Sequence, residues 1–130
     1  MADVFEDQAR FMMACDQTVG AVNDSQFNLY CRLINEEVSE LNQAAQTLDR
    51  VEQLDALIDI IVVAIGALHS LGVNSEAAWK EVMRSNLAKI DPTTGKVIKR
   101  EDGKVLKPEG WKPPRLDACF RKPITNTVVQ

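Results

Sequence analysis

Leu54–Gly66 reads LDALIDIIVVAIG, and from Ile60 to Leu68 every position except Gly66 is apolar. A helix that is apolar on all sides is expected to be buried on all sides. Yet Asp55 and Asp59 fall one turn apart on the face that Val62, Val63 and Gly66 continue. A buried, unpaired carboxylate is costly and is normally neutralised or lost. No Lys or Arg occurs between Arg50 and Lys80 to pair with it. A divalent cation with oxygen ligands resolves the conflict.

The neighbouring sequence gives this helix a partner. Asp49 is a suitable N-cap for a helix running to Leu71, with Gly72 ending it. Ahead of it, a helix over 26–47 is expected, capped by Ser25. Its apolar stripe is Phe27, Tyr30, Ile34, Val38, Leu41, Ala45 and Leu48. That helix carries Glu36-Glu37-Val38-Ser39-Glu40, and the next carries Glu52-Gln53-Leu54-Asp55. Residues three apart share a helix face, so Glu37 pairs with Glu40 and Glu52 with Asp55. At about 100° per residue, Glu37 lies roughly 60° and Glu40 roughly 120° from the middle of the apolar stripe, with Glu36 pointing outward. Taken alone, the glutamates of 36–40 are what a solvated helix face carries, and Glu52 and Asp55 could simply complement a helix dipole. Asp59 lies too deep in its helix for that explanation. Paired acids on facing helices are a common way to build a metal site in a bundle. With His69 the only histidine, Mg²⁺ is favoured, or Mn²⁺ in its place, over zinc or iron.

Two more helices complete the body. One is expected over 3–19, ended by Gly20, and one from Ser75 to about Lys89, stopped by Asp91-Pro92. Residues 91–130 differ in character. Lys96–Arg100 and Lys104–Lys107 flank the turn signal Glu101-Asp102-Gly103, and Pro108, Pro113, Pro114 and Pro123 follow. The expectation is an all-α, four-helix bundle over 1–90 with a C-terminal arm over 91–130 containing a short β-hairpin. The arm either belongs to the same domain or packs on a neighbouring subunit. Trp79 and Met83 read as core.

Charge divides the same way. Residues 1–90 hold 6 Lys/Arg against 14 Asp/Glu, and residues 91–130 hold 9 against 5. An acidic body argues against binding a nucleic acid polymer. The longest apolar run, Ile60–Ile65, is far too short to span a membrane, and acids occupy the start where a signal peptide would be basic. Cys15, Cys31 and Cys119 are scattered and odd in number, which suits a reducing cytoplasm.

Glu36-Glu37-x-x-Glu40 followed by Glu52-x-x-Asp55 resembles the EExxE…ExxD signature of the MazG-like all-α nucleoside triphosphate pyrophosphatases. LDALIDIIVVAIG looks like the family's second motif helix, and Glu81–Lys89, EVMRSNLAK, like the Asn- and Lys-bearing segment after it. EDGKVLKP at 101–108 and Trp111–Pro114 are similar to the tail of its small single-domain branch. The resemblance implies Mg²⁺-dependent hydrolysis between the α- and β-phosphates of a nucleoside triphosphate, as part of nucleotide metabolism. It makes Glu37, Glu40, Glu52 and Asp55 the metal ligands, with Asp59 an additional candidate. Glu36, Glu37 and Glu40 become the catalytic acids, with Glu36 placed to orient or deprotonate water. Asn86, Lys89, Lys104 and Lys107 would contact substrate. It further implies a homo-oligomer, dimer or tetramer, whose bundle is completed between subunits. A deoxynucleotide or non-standard nucleotide is the expected substrate. Phosphoribosyl-ATP and a non-catalytic metal-binding oligomer are the alternatives.

Overall fold

Asp3, Asn23 and Asp49 each start a helix by accepting backbone N–H groups. The computed structural model describes residues 2–121. They form α1 (Val4–Ala14), α2 (Asp24–Thr47), α3 (Arg50–His69) and α4 (Ser75–Leu87), then β1 (Ile90–Asp91), β2 (Lys96–Val97) and a 3₁₀ turn at Asp117–Cys119. The chain is therefore mainly helical, as expected, and no described helix is long and apolar enough to cross a membrane. Pro123 lies outside the described residues.

Several boundaries differ from the sequence expectation. The first helix stops at Ala14, well before residue 19, because Asp16 takes a left-handed φ of 58°. Asp and Asn tolerate that region better than most residues do, so no glycine was needed. Gly20, expected to end this helix, instead sits in the following loop, where its N–H donates to the His69 carbonyl at 3.1 Å. Ser25 does not cap α2. Asn23 does, with Oδ1 accepting from the Gln26 N–H at 3.1 Å, while the Ser25 hydroxyl donates to the same oxygen. Asp49 caps α3 as expected, accepting from the Glu52 N–H at 3.1 Å. α3 ends at His69 and α4 at Leu87, each two residues early.

The chain falls into two compact units, the first comprising described residues 2–75 with 120 and 121, the second residues 76–119. In the first, α2 and α3 pack along each other and α1 packs on α3. Only Leu48, in the left-handed region at φ 58°, and Asp49 separate α2 from α3, so the two must run antiparallel. The core gathers Met12, Tyr30 and Ala67, with Val19, Phe27, Leu33, Ile34 and Val63 against them. His69 is buried, and its Nε2–H donates to the Phe5 carbonyl at 2.8 Å, tying α1 to the end of α3. Isolated bridges Val22↔Leu71 and Val73↔Phe120 close the base. α3 is not buried on all sides within one chain, as its apolar run had suggested. Val51, Leu54, Leu57, Ile58 and Ile61 remain exposed.

In the second unit, β1 and β2 pair antiparallel in the register Ile90↔Val97 and Asp91↔Lys96. The expected hairpin around Glu101–Gly103 is narrower than a ladder. A single bridge, Lys99↔Val105, is flanked by hydrogen bonds from Arg100 N to Lys104 O and from Leu106 N to Ile98 O, both 2.8 Å. Trp79, expected in the core, is 61% exposed.

Candidate metal and substrate site

The α2–α3 register is set by one close approach. A Cβ placed on Gly66 would lie 2.2, 2.5 and 2.6 Å from three atoms of the Tyr30 ring. The ring therefore lies flush on the α3 backbone, where only glycine fits. The Tyr30 hydroxyl donates to Gln17, and burial pushes this phenol above its ordinary pKa. A second tie, from Gln53 Nε2 to the Ala44 carbonyl at 3.1 Å, fixes the other end of the hairpin. Glu37 is two turns beyond Tyr30 on α2, and Asp59 is two turns before Gly66 on α3. In an antiparallel pair these steps run in the same direction, so the Tyr30–Gly66 contact delivers Glu37 opposite Asp59.

The electrostatics agree with that register. Glu37 is held above its ordinary pKa, first by desolvation, then by the neighbouring Glu40 carboxyl. Repulsion from Glu40, Asp59 and Asp55 adds to this. Asp59 is also raised, by desolvation and by the negative charges of Asp55 and Glu40. Glu37 Oε2 is buried with no hydrogen-bond partner. Four acids from two helices thus press on one another. Among the described residues, the charges that raise Glu37 and Asp59 are those of neighbouring carboxylates.

The sequence-predicted residues divide accordingly. Glu37, Glu40, Asp55 and Asp59 come together. Glu52 is exposed in the first turn of α3, and Glu36 is exposed on α2. Neither is among the groups acting on Glu37 or Asp59. As the side chains stand, no group of three or more Asp, Glu, His or Cys among the described residues converges on a point that could hold a metal ion. The donor set is nevertheless hard oxygen throughout, with an orphaned buried carboxylate oxygen at its centre, and this is the chemistry that a small divalent cation satisfies. The residues fit Mg²⁺ or Mn²⁺, and closing on the ion would require rotamer changes at exposed side chains.

In the second unit, Lys89 and Lys107 gather around Trp111, a residue that the sequence reading gave no role, and Asn86 is joined to them through Lys89. Lys89 Nζ donates to Asn86 Oδ1 at 3.2 Å. Lys89 Nζ and Lys107 Nζ lie 5.3 and 4.8 Å from the centre of the Trp111 ring. Trp111 Nε1–H donates to the Ser85 carbonyl at 2.7 Å, anchoring the ring near the end of α4. Lys104 stands apart, exposed beside the Arg100–Asp102 ion pair. An aromatic residue among prolines and lysines was the available signal for Trp111, since such arms fold by docking one large side chain.

A sequence model of the phosphoribosyl-ATP pyrophosphohydrolase family matches residues 13–86, more than half of the chain. The match spans both acidic motifs and ends before Lys89 and the arm. No curated protein matches the chain.

Proposed function

Because the chain belongs to the phosphoribosyl-ATP pyrophosphohydrolase family, within the MazG-like superfamily of pyrophosphohydrolases, we propose that it hydrolyses a nucleoside triphosphate to the monophosphate and pyrophosphate. The favoured substrate is a deoxynucleotide or non-standard nucleotide, and the role is the clearing of nucleotide pools in the cytoplasm. The observation that carries this reading is the set of mutually repelling acids on α2 and α3, with Glu37 Oε2 orphaned among them.

Glu37, Glu40, Glu52 and Asp55, with Asp59 beside them, are the residues that would hold Mg²⁺. When bound, the ion supplies charge neutralisation on non-bridging phosphate oxygens and polarises water. In the net reaction, the bond between the α-phosphorus and its bridging oxygen breaks. Water supplies the new oxygen of the monophosphate, and pyrophosphate leaves. Glu36, exposed on α2, orients the attacking water and accepts its proton in this account. Asn86, Lys89, Lys104 and Lys107 bind phosphate oxygens. Such chemistry depends more on positioning and charge than on covalent help from the protein.

The protein acts as a homo-oligomer in this account. Val51, Leu54, Ile58 and Ile61, spaced 3-4-3 on α3, are 75, 62, 51 and 49% exposed. An apolar stripe of that spacing is what a second helix covers.

A second reading, phosphoribosyl-ATP as substrate, is favoured by the identity of the matching family. A panel of ribo- and deoxynucleoside triphosphates and phosphoribosyl-ATP, incubated with the protein and Mg²⁺ and assayed for pyrophosphate, separates the two. Release from a deoxynucleotide, lost in EDTA and in Glu40→Gln, supports the first. Release from phosphoribosyl-ATP alone selects the second. No release from any of them, by protein that still binds Mg²⁺, would leave a non-catalytic metal-binding oligomer.

A further inference from the structure

Pro113 and Pro114 carry no N–H, so this stretch of the arm cannot pair with a neighbour as a strand does. Its carbonyls, and the first N–H after it, that of Arg115, need other partners. α4 supplies both kinds from two side chains three residues apart on one face. Arg84 Nη2 donates to the Lys112 and Pro113 carbonyls at 3.4 and 3.2 Å, and the Arg115 N–H donates to Glu81 Oε1 at 3.0 Å. The same Oε1 accepts from Arg84 Nε at 3.1 Å and Nη2 at 2.9 Å, so the two side chains hold each other as well as the arm. The Arg84 and Arg115 bonds keep the Glu81 carboxyl below its ordinary pKa, and hence ionised near neutral pH.

A second fastening lies beside the first. The Ser85 carbonyl is in the last turn of α4, where helix carbonyls lose their intrahelical donors. Trp111 Nε1–H takes the vacant role, donating to it at 2.7 Å. Glu81, Arg84 and Ser85 thus meet Arg115, then Pro113 and Lys112, then Trp111, so the arm runs antiparallel along one face of α4. Only Lys112–Pro114 separate the two fastenings, and two prolines fix φ within that link. The seat of the Trp111 ring is therefore coupled to the Glu81–Arg84 pair by a short, stiff connection. The Pro108–Trp111 turn, closed by a 3.1 Å hydrogen bond, carries the coupling on to Lys107, whose Nζ lies 4.8 Å from the ring centre.

We propose that Glu81 and Arg84 are positioning residues: their clasp on residues 112–115 seats Trp111 and, through it, holds Lys107 of the arm in place for substrate. The inference rests on the proposed reaction, in which Lys107 contacts substrate. Glu81 and Arg84 touch no substrate in this account and act only through the arm. An unclasped arm must be ordered each time substrate binds, which weakens binding and leaves the chemical step as it was.

The experiment is steady-state hydrolysis of the best nucleotide in Mg²⁺ by the full-length chain, with tryptophan emission read alongside. A Trp79→Phe background leaves Trp111 as the sole tryptophan. Arg84→Ala should raise KM about 10-fold, keep kcat within about 2-fold, and shift the Trp111 emission to the red. Arg84→Lys keeps the charge without the forked donors and should recover only part of the loss. Glu81→Gln keeps an acceptor oxygen and should bind substrate better than Glu81→Ala. In a Lys107→Gln background, Arg84→Ala should raise KM by no more than about 2-fold further, because the two act in series. Lys80→Ala removes an α4 cation that pairs with Glu76, and controls for charge loss; circular dichroism checks folding. An unchanged KM in Arg84→Ala, a fall in kcat alone, equal effects of Arg84→Ala and Lys80→Ala, or full additivity with Lys107→Gln would overturn the positioning role and leave the proposed reaction standing. No turnover of any nucleotide by the wild type would remove the reaction itself, and this role with it.

Discussion

Replacing Gly66 with alanine tests whether one backbone contact sets the α2–α3 register. Elsewhere in an exposed helix, Gly→Ala stabilises by up to about 1 kcal/mol. Here the new methyl would sit 2.2–2.6 Å from three Tyr30 ring atoms, where ordinary contact begins near 3.4 Å. The ring or the helix must therefore withdraw by about 1 Å, and overpacking of this kind costs about 1–3 kcal/mol or more. The ring cannot swing away freely, because Tyr30 is 4% exposed and its hydroxyl is held by Gln17. The expected net loss is about 2 kcal/mol after the helix gain is subtracted, or about 8 °C in Tm for a chain of this size. The assay is a double-mutant cycle by urea unfolding. Tyr30→Ala alone should cost about 3–5 kcal/mol through the cavity it leaves. In that background Gly66→Ala should turn mildly stabilising, giving a coupling of about 2–4 kcal/mol. Gly66→Ala stabilising both backgrounds equally would refute the contact, and with it the placement of Glu37 opposite Asp59.

Two further outcomes follow from buried polar groups. Gln26 accepts from the Thr18 N–H at 2.8 Å and donates to the Thr18 carbonyl at 2.7 Å and to Ser70 Oγ at 2.8 Å. Gln26→Leu leaves those partners stranded and should cost about 3 kcal/mol in denaturant unfolding, whereas a loss below about 1 kcal/mol would show water replacing the amide. For pH, Glu37 and Asp59 are raised in the folded state, so it binds more protons than the unfolded chain between the ordinary carboxylate range and the raised values. In EDTA, their penalty is greatest above the raised values and is relieved as pH falls through them toward the ordinary carboxylate range of about 4. Glu81 and Asp102 are lowered, so their contribution is lost only below the ordinary range. The melting temperature relative to a Glu37→Gln/Asp59→Asn variant should therefore rise from pH 7 to pH 5, and a flat or falling difference would contradict the clustering.

Much of this was legible because carboxylates in an apolar helix conflict with elementary solvation. Asp55 and Asp59 stood out as acids on an apolar helix, and the spacing of Glu37 and Glu40 marked the acids of α2 that face them. The role of Gly66 was foreshadowed only as the one break in an apolar run, since its Tyr30 partner lies 36 positions away in sequence. Helix ends were less readable because several residues compete for each cap. Asn23 and Ser25 are equally good N-caps by type, and the choice fell to Asn23, whose Nδ2 also donates to Thr18 Oγ1 at 2.9 Å. Asp16 ended α1 in a conformation that composition assigns first to glycine. The exposure of the α3 stripe was hidden because periodicity reports apolar surface without saying which molecule covers it. Trp111 organises the arm through a backbone carbonyl on α4, a long-range contact that no local pattern encodes.

The most direct test of the central claim is phosphorus NMR of the products formed from the best substrate in Mg²⁺, by the wild-type chain and by Glu40→Gln. The account predicts nucleoside monophosphate and pyrophosphate from the wild type, and at least about 100-fold slower turnover from a variant lacking one acid of the cluster. Diphosphate and orthophosphate as products, or an unchanged rate in Glu40→Gln, would contradict it.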